Sequence, residues 1–255
     1  MDISIETTDP KLHILPSLIT DKTVAIVIAH IFGKWCDIDP VIDVAEKYGL
    51  PVIEDCAESF CGFHNLGNPR AQLSLFSFGI IKYFTAFGGA VVKVKSDETY
   101  RKMLAIYESY PSAGRTEYLK KVCKIYLANV IMGSPFLTHS LMYLGRLVGF
   151  DYKSLFINML RGFPDEMLRR IKARPSTPLL VTLRERLKGF SEAEYDVCQV
   201  KAEYVRTRLP EEAQLVGMKA KVNNYWLFPI LVVSKLSSSF ITFFVYIVLL
   251  KRRLF

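Results

Sequence analysis

One lysine in this chain is set among aromatic and aliphatic neighbours, in Phe76-Ser77-Phe78-Gly79-Ile80-Ile81-Lys82-Tyr83-Phe84-Thr85-Ala86-Phe87-Gly88-Gly89. A lone lysine is ordinarily a surface residue, but these neighbours argue for an enclosed position. Burial disfavours the charged form of an amine, and a neutral amine is the nucleophile that forms an imine with an aldehyde. Asp55 follows the apolar run Val52-Ile53 and Glu54. A carboxylate placed there needs a cationic or hydrogen-bonding partner. A protonated pyridine nitrogen would serve and would keep such a ring electron-withdrawing; capping of a following helix is the ordinary alternative. Ser77 lies ahead of Lys82 and offers a hydroxyl of the kind that holds phosphate. Gly88-Gly89 either brings backbone close to a ligand or turns the chain.

These residues need a scaffold, and the first hundred residues read as α/β. Val24 to Ala29 is β-branched and apolar, the pattern of a buried strand. His30 to Asp37 is a loop containing Gly33. Asp39-Pro40 opens a helix with Val41, Ala45 and Tyr48 on one face, and Gly49 closes it. Strands are expected at Pro51 to Glu54, Leu73 to Phe78 and Ala90 to Val94, and Ser96-Asp97-Glu98 caps the next helix. Such an order implies a mostly parallel sheet with ligands at the carboxyl ends of its strands. Asp55 stands at such an end.

From about Thr116 onward helical periodicity takes over, in Glu117 to Ala128, Leu137 to Val148, Leu179 to Leu187 and Glu192 to Leu209, the last with Ser191 as its N-cap. Asn223 to Val233 reads as a strand. Three regions follow: 1–115 belongs to the sheet-bearing domain, 116–233 to a mainly helical part ending in a strand, and 234–255 to an apolar tail. Ile125 to Gly145 holds no charged residue and has about the length needed to cross a bilayer. Asn129, Ser134, Pro135, Thr138 and His139 interrupt it, so a buried helical hairpin is expected, with a membrane-associated segment as the alternative. Phe240 to Leu250 is too short to span alone; with Lys251-Arg252-Arg253 behind it, it is a second candidate for membrane contact.

The composition narrows the field further. The 255 residues are 51% hydrophobic with a net charge of +8, and the mean hydropathy is +0.21. The basic residues are scattered and lack an aromatic-interleaved motif, which points to a solvated basic surface or anionic small molecules and away from nucleic acid. Five cysteines without a Cys-x-x-Cys argue against a disulfide framework and for a reducing, cytoplasmic setting. The four histidines are far apart, so no metal site is expected.

The ordered set Ala29-His30-Ile31-Phe32-Gly33, Asp37-Ile38-Asp39-Pro40, Val52-Ile53-Glu54-Asp55, Phe76-Ser77-Phe78, Lys82 and Gly88-Gly89-Ala90 resembles the DegT/DnrJ/StrS family of sugar aminotransferases. Asn224-Tyr225-Trp226-Leu227-Phe228-Pro229 looks like a C-terminal strand of that family. The resemblance implies the fold-type I large domain of aspartate aminotransferase-like enzymes and the cofactor pyridoxal phosphate. It implies Lys82 as the Schiff-base lysine and proton carrier, Asp55 on the pyridinium nitrogen and Ser77 on the cofactor phosphate. Glu58 stands where the family usually has glutamine near the ring, and His30 lies in the loop beside it. The expected reaction moves an amino group from an amino acid to a keto sugar carried on a nucleotide, in a homodimer or a dimer with a full-length relative.

Three departures accompany the resemblance. Glu58 adds a negative charge, Ile81 and Tyr83 replace the family's polar neighbours of the lysine, and the family's aspartate is missing from Phe87-Gly88-Gly89. The family's glycine-rich phosphate loop and ring-stacking aromatic are not found ahead of Val24, so a truncated, incomplete large domain is expected, with sheet edges and apolar surface left uncovered. The alternative readings are a non-catalytic pseudo-enzyme or partner subunit, and a membrane-associated protein.

Overall fold

The computed structural model describes residues 1–147, 149, 171–210, 213–232 and 245–246. Its centre is a four-stranded sheet in the order β1 (Ile26–Ala29), β3 (Val52–Asp55), β4 (Leu73–Ser77) and β5 (Ala90–Val94). β1 pairs with β3 and β3 with β4 in parallel, while β5 closes the edge antiparallel to β4. The mostly parallel expectation therefore holds with one antiparallel strand. Register sets Ala29 beside Asp55 and Asp55 beside Leu75.

Among the described residues one face of this sheet is deeply covered at β1. Ile26, Ile28 and Val52 pack with Val41, Ile42 and Ala45 of helix α2 (Asp39–Lys47) and with Leu15 of the short helix α1 (Leu15–Leu18). Val27, on the opposite face, is 64% exposed, and Val24 before it is 84% exposed. β1 is thus half-buried, with alternate side chains inward, where continuous burial was expected. The alternation follows from strand geometry: successive side chains point to opposite faces, and the described residues cover one of them. Gly49, with φ +64°, ends α2 in the left-handed region, as its position predicts.

The second half is helical: α3 (Asp97–Glu108), α4 (Arg115–Gly133), α5 (Pro135–Leu147), α6 (Thr177–Lys188) and α7 (Glu192–Arg206). Ser96 caps α3 through its side chain, which accepts from Thr99 N. Ser191 holds the N-cap position of α7 but makes no such bond. The expected strand from Asn223 to Val233 divides into β7 (Val222–Asn223) and β8 (Pro229–Val232). β7 pairs with β2 (Lys34–Trp35), and β8 lies between β6 (Ala213–Leu215) and β9 (Val245–Tyr246). The pairing with β2 ties residues 222–223 to the loop after β1. Among the described residues no helix is long and apolar enough to cross a membrane.

Candidate functional site

The carboxyl ends of β3 and β4 place Asp55 and Ser77 on one edge of the sheet, and the chain leaving β4 turns through Gly79 into Lys82. Lys82 N donates to Gly79 O at 3.1 Å, which closes this turn. Ser77 Oγ and Lys82 Cγ flank Gly79; a Cβ there would lie 3.7 and 3.9 Å from them. Beneath the turn is an aromatic core of Trp35, Phe60, Phe76, Phe78 and Phe84, with Leu183 of α6 closing it. This packing explains the run of phenylalanines around Lys82: they form the floor on which the lysine stands.

The Lys82 side chain is 17% exposed. Its Nζ lies 3.9 Å from Glu58 Oε1 and 4.9 Å from the centroid of the Trp226 ring. Glu58 is held from its other side, since Oε2 accepts from Phe32 N at 2.9 Å. Phe32 has φ +61°, a conformation side chains seldom adopt, so the loop after β1 bends to present its N–H to this carboxylate. Trp226 donates Nε1–H to Ile81 O at 2.6 Å, which fixes its ring beside the lysine. Asp55 Oδ1 accepts from Ala57 N at 2.9 Å, an Asx-type turn after β3. Among the described residues Asp55 Oδ2 and Ser77 Oγ make no hydrogen bond, so both are free to meet a ligand.

Asn224 organises this neighbourhood. It is fully buried, donates from Nδ2 to Glu58 O and Phe60 O at 2.9 and 3.1 Å, and accepts Trp226 N on Oδ1 at 2.8 Å. Its backbone N donates to Gly33 O. Gly33 has φ +78°, and a Cβ there would overlap Asn224 Oδ1, so only glycine fits. One side chain thus joins the loops after β1 and β3 to the segment that carries Trp226. The bare sequence offered one signal for Trp226 and Asn224, their place in the Asn224 to Pro229 run; nothing in it placed them against Lys82 or Glu58.

His30 sits differently. It is 1% exposed, its Nε2 lies 2.8 Å from Glu54 Oε1, and its Nδ1 accepts from Cys36 N at 3.2 Å. The accepting Nδ1 leaves the ring proton on Nε2, where it points at the carboxylate. Glu54 also accepts from Ser74 Oγ and Asn68 N, at 2.7 and 2.8 Å. Burial works to raise its pKa, yet these bonds and His30 outweigh it and hold Glu54 below the usual carboxylate range. His30, Glu54 and Cys56 converge within 4.8 Å. The His30 and Glu54 donors are committed to one another, and burial pushes the Cys56 thiol far up, so the cluster reads as a polar knot inside the fold.

A family model described as the DegT/DnrJ/EryC1/StrS aminotransferase family matches residues 1–129, half of the chain. A GDP-perosamine synthase of Caulobacter vibrioides is 37% identical over 92 residues, which are 35% of this chain and 24% of that protein. A dTDP-4-amino-4,6-dideoxy-D-glucose transaminase of Shigella dysenteriae is 36% identical over 87 residues, 33% of this chain and 24% of that protein. The chain therefore matches about a quarter of the length of these curated relatives. The fold is that of a solved E. coli GDP-4-keto-6-deoxy-D-mannose-3-dehydratase with bound hydrated pyridoxal phosphate. That likeness has a TM-score of 0.57 at 16% identity, over 92% of this chain and 54% of that one. The fold is accordingly the fold-type I architecture. With half of its length under the family model and this fold, the chain belongs to the DegT/DnrJ/EryC1/StrS aminotransferase family.

Proposed function

We propose that this chain carries a pyridoxal-phosphate site, with Lys82 as its imine-forming lysine, for amino transfer between an amino acid and a keto sugar carried on a nucleotide. The observation that carries the reading is Lys82. Its amine is enclosed by a carboxylate and an indole at the sheet edge where Asp55 and Ser77 also end. The residues fit the cofactor. Lys82 would bind its aldehyde carbon, Asp55 Oδ2 its ring nitrogen, and Ser77 Oγ its phosphate. Bound there, the cofactor supplies an electron sink for a carbanion. The Lys82 amine, when free, would be the base that carries a proton at the substrate carbon.

Glu58 orients that amine through the 3.9 Å ion pair, and Trp226 shields it from water. We assign His30 to holding Glu54 and the loop after β1, since both its nitrogens are engaged inside the fold. The nucleotide-sugar acceptor is suggested by the relatives' names, which describe GDP- and dTDP-linked amino sugars, and the basic net charge agrees with an anionic acceptor. A dimer, with a second copy or a relative of the same family, is the proposed assembly.

The test is the absorbance of the purified chain with pyridoxal phosphate, beside Lys82→Ala. A band near roughly 410–430 nm that is absent from the variant supports the reading. A folded chain with no band refutes it and favours a non-catalytic partner subunit.

A further inference from the structure

The uncharged run from Ile125 to Gly145 forms a helical hairpin, as its pattern predicts, but its apolar side chains are not buried. α4 and α5 pack against each other and turn at Ser134-Pro135. Leu127 is 60% exposed, Phe136 77%, Tyr143 65% and Leu144 59%. The base is anchored to the fold: Tyr118 is buried and donates its hydroxyl to Ala86 O at 3.0 Å.

We propose that the α4–α5 hairpin dips its tip into the interface of an anionic bilayer and holds the protein on the membrane surface. Three observations favour lipid over a protein partner. The apolar side chains lie on both arms and around the turn rather than on one flat face, which suits a fluid solvent. Three polar side chains around the turn also bond within the hairpin. Thr138 Oγ1 donates to Ile131 O at 2.8 Å, His139 Nδ1 bonds Pro135 O at 2.6 Å, and Ser134 Oγ accepts from Leu137 N at 3.4 Å. Hydrocarbon demands such internal pairing, and water does not.

Charge is the third observation. Lys120 and Lys124 are exposed at the base of the tip, Arg115 is exposed at the start of α4, and Glu117 is the one acidic residue from Arg115 to Leu147. A basic collar behind an apolar tip matches anionic headgroups above hydrocarbon. Each uncharged arm is about 13–16 Å long at 1.5 Å per residue, roughly half of a 30 Å hydrocarbon core. The hairpin therefore enters one leaflet and does not cross.

Cys123 provides the test, because it is the exposed cysteine on α4 while the other four are buried. The whole chain carries an environment-sensitive fluorophore on Cys123 and meets vesicles of phosphatidylcholine, alone or with about one third phosphatidylserine. The expected result is a blue shift and intensity gain that needs phosphatidylserine and fades with salt. Co-flotation should fall at least about tenfold in Leu127→Asp/Phe136→Asp with an unchanged circular dichroism spectrum. Flotation that is unchanged in Leu127→Asp/Phe136→Asp overturns the proposal, since another segment would then make the contact, and so does a chain that neither floats nor shifts the probe. A probe that responds to protein concentration without lipid overturns it as well, and shows a second copy covering the hairpin.

Discussion

Replacing Lys34 by methionine should stabilise this protein at neutral pH. Lys34 is 2% exposed, and its Nζ lies 5.3 Å from the Tyr225 ring centroid; among the described residues it has no carboxylate partner. Its stem is packed tightly: a Cβ at Gly217 would overlap Lys34 Cδ. Burial lowers its pKa from 10.5 to about 8. A depression of that size corresponds to about 3 kcal/mol of differential stability, and the cation–π contact returns about 0.5–1 kcal/mol. Methionine keeps the stem and removes the charge, so the expected gain is about 2–3 kcal/mol at pH 7.

The sign follows from proton counting. Between pH 8 and 10.5 the unfolded chain holds the Lys34 proton and the folded chain has released it. Wild-type stability therefore rises with pH across that window, relative to the variant. The gain from methionine should be full below pH 8 and close to zero above 10.5. Urea unfolding of both proteins at pH 7, 9 and 10.5 measures this directly. A variant less stable than wild type at pH 7, or a difference that does not change with pH, would refute the reasoning.

Other perturbations probe the frame of the site. Asn224→Ala strands two buried carbonyls and the Trp226 N–H; a loss of about 2–5 kcal/mol is expected in urea unfolding, with a change in Trp226 fluorescence. Gly33→Ala meets both a left-handed φ and the Asn224 side chain, whereas Gly49→Ala meets the φ alone. The first should cost about 3 kcal/mol or more and the second about 1 kcal/mol, so equal losses in thermal unfolding would argue against the packing at Gly33. Glu54 has its pKa lowered in the fold; its contribution is complete above its ordinary value and is lost as pH falls through the folded one. Glu54→Gln should therefore flatten the acid limb of a stability–pH curve, at a cost of about 1–3 kcal/mol at pH 7.

Local chemistry made much of this protein readable from its residues. The β-branched apolar runs of 24–29 and 51–54, Ser96 as a cap and Gly49 as a terminator depend on neighbours a few positions away, and each element is found near where it was expected, although β1 is buried on one face alone. Lys82, Asp55 and Ser77 were legible for the same reason: their types stand out against apolar surroundings that strand geometry then brings to one edge. Ser191 takes the N-cap position expected of it but makes no side-chain bond there, since position alone does not aim a hydroxyl.

Tertiary structure decided the rest. Asn224 binds the carbonyl of Glu58 across 166 positions, and Trp226 reaches Ile81 across 145. No window of sequence contains such pairs. The same holds for His30, polar enough to look like a ligand-binding residue until both ring nitrogens were found engaged within the fold. It holds for Lys34, whose burial comes from Gly217 and Tyr225 far along the chain. It holds also for the α4–α5 hairpin, where sequence shows that the residues are apolar but only packing shows that they face outward. Secondary structure is set by what each residue prefers locally, whereas exposure, partnership and charge state depend on what the distant chain places beside it.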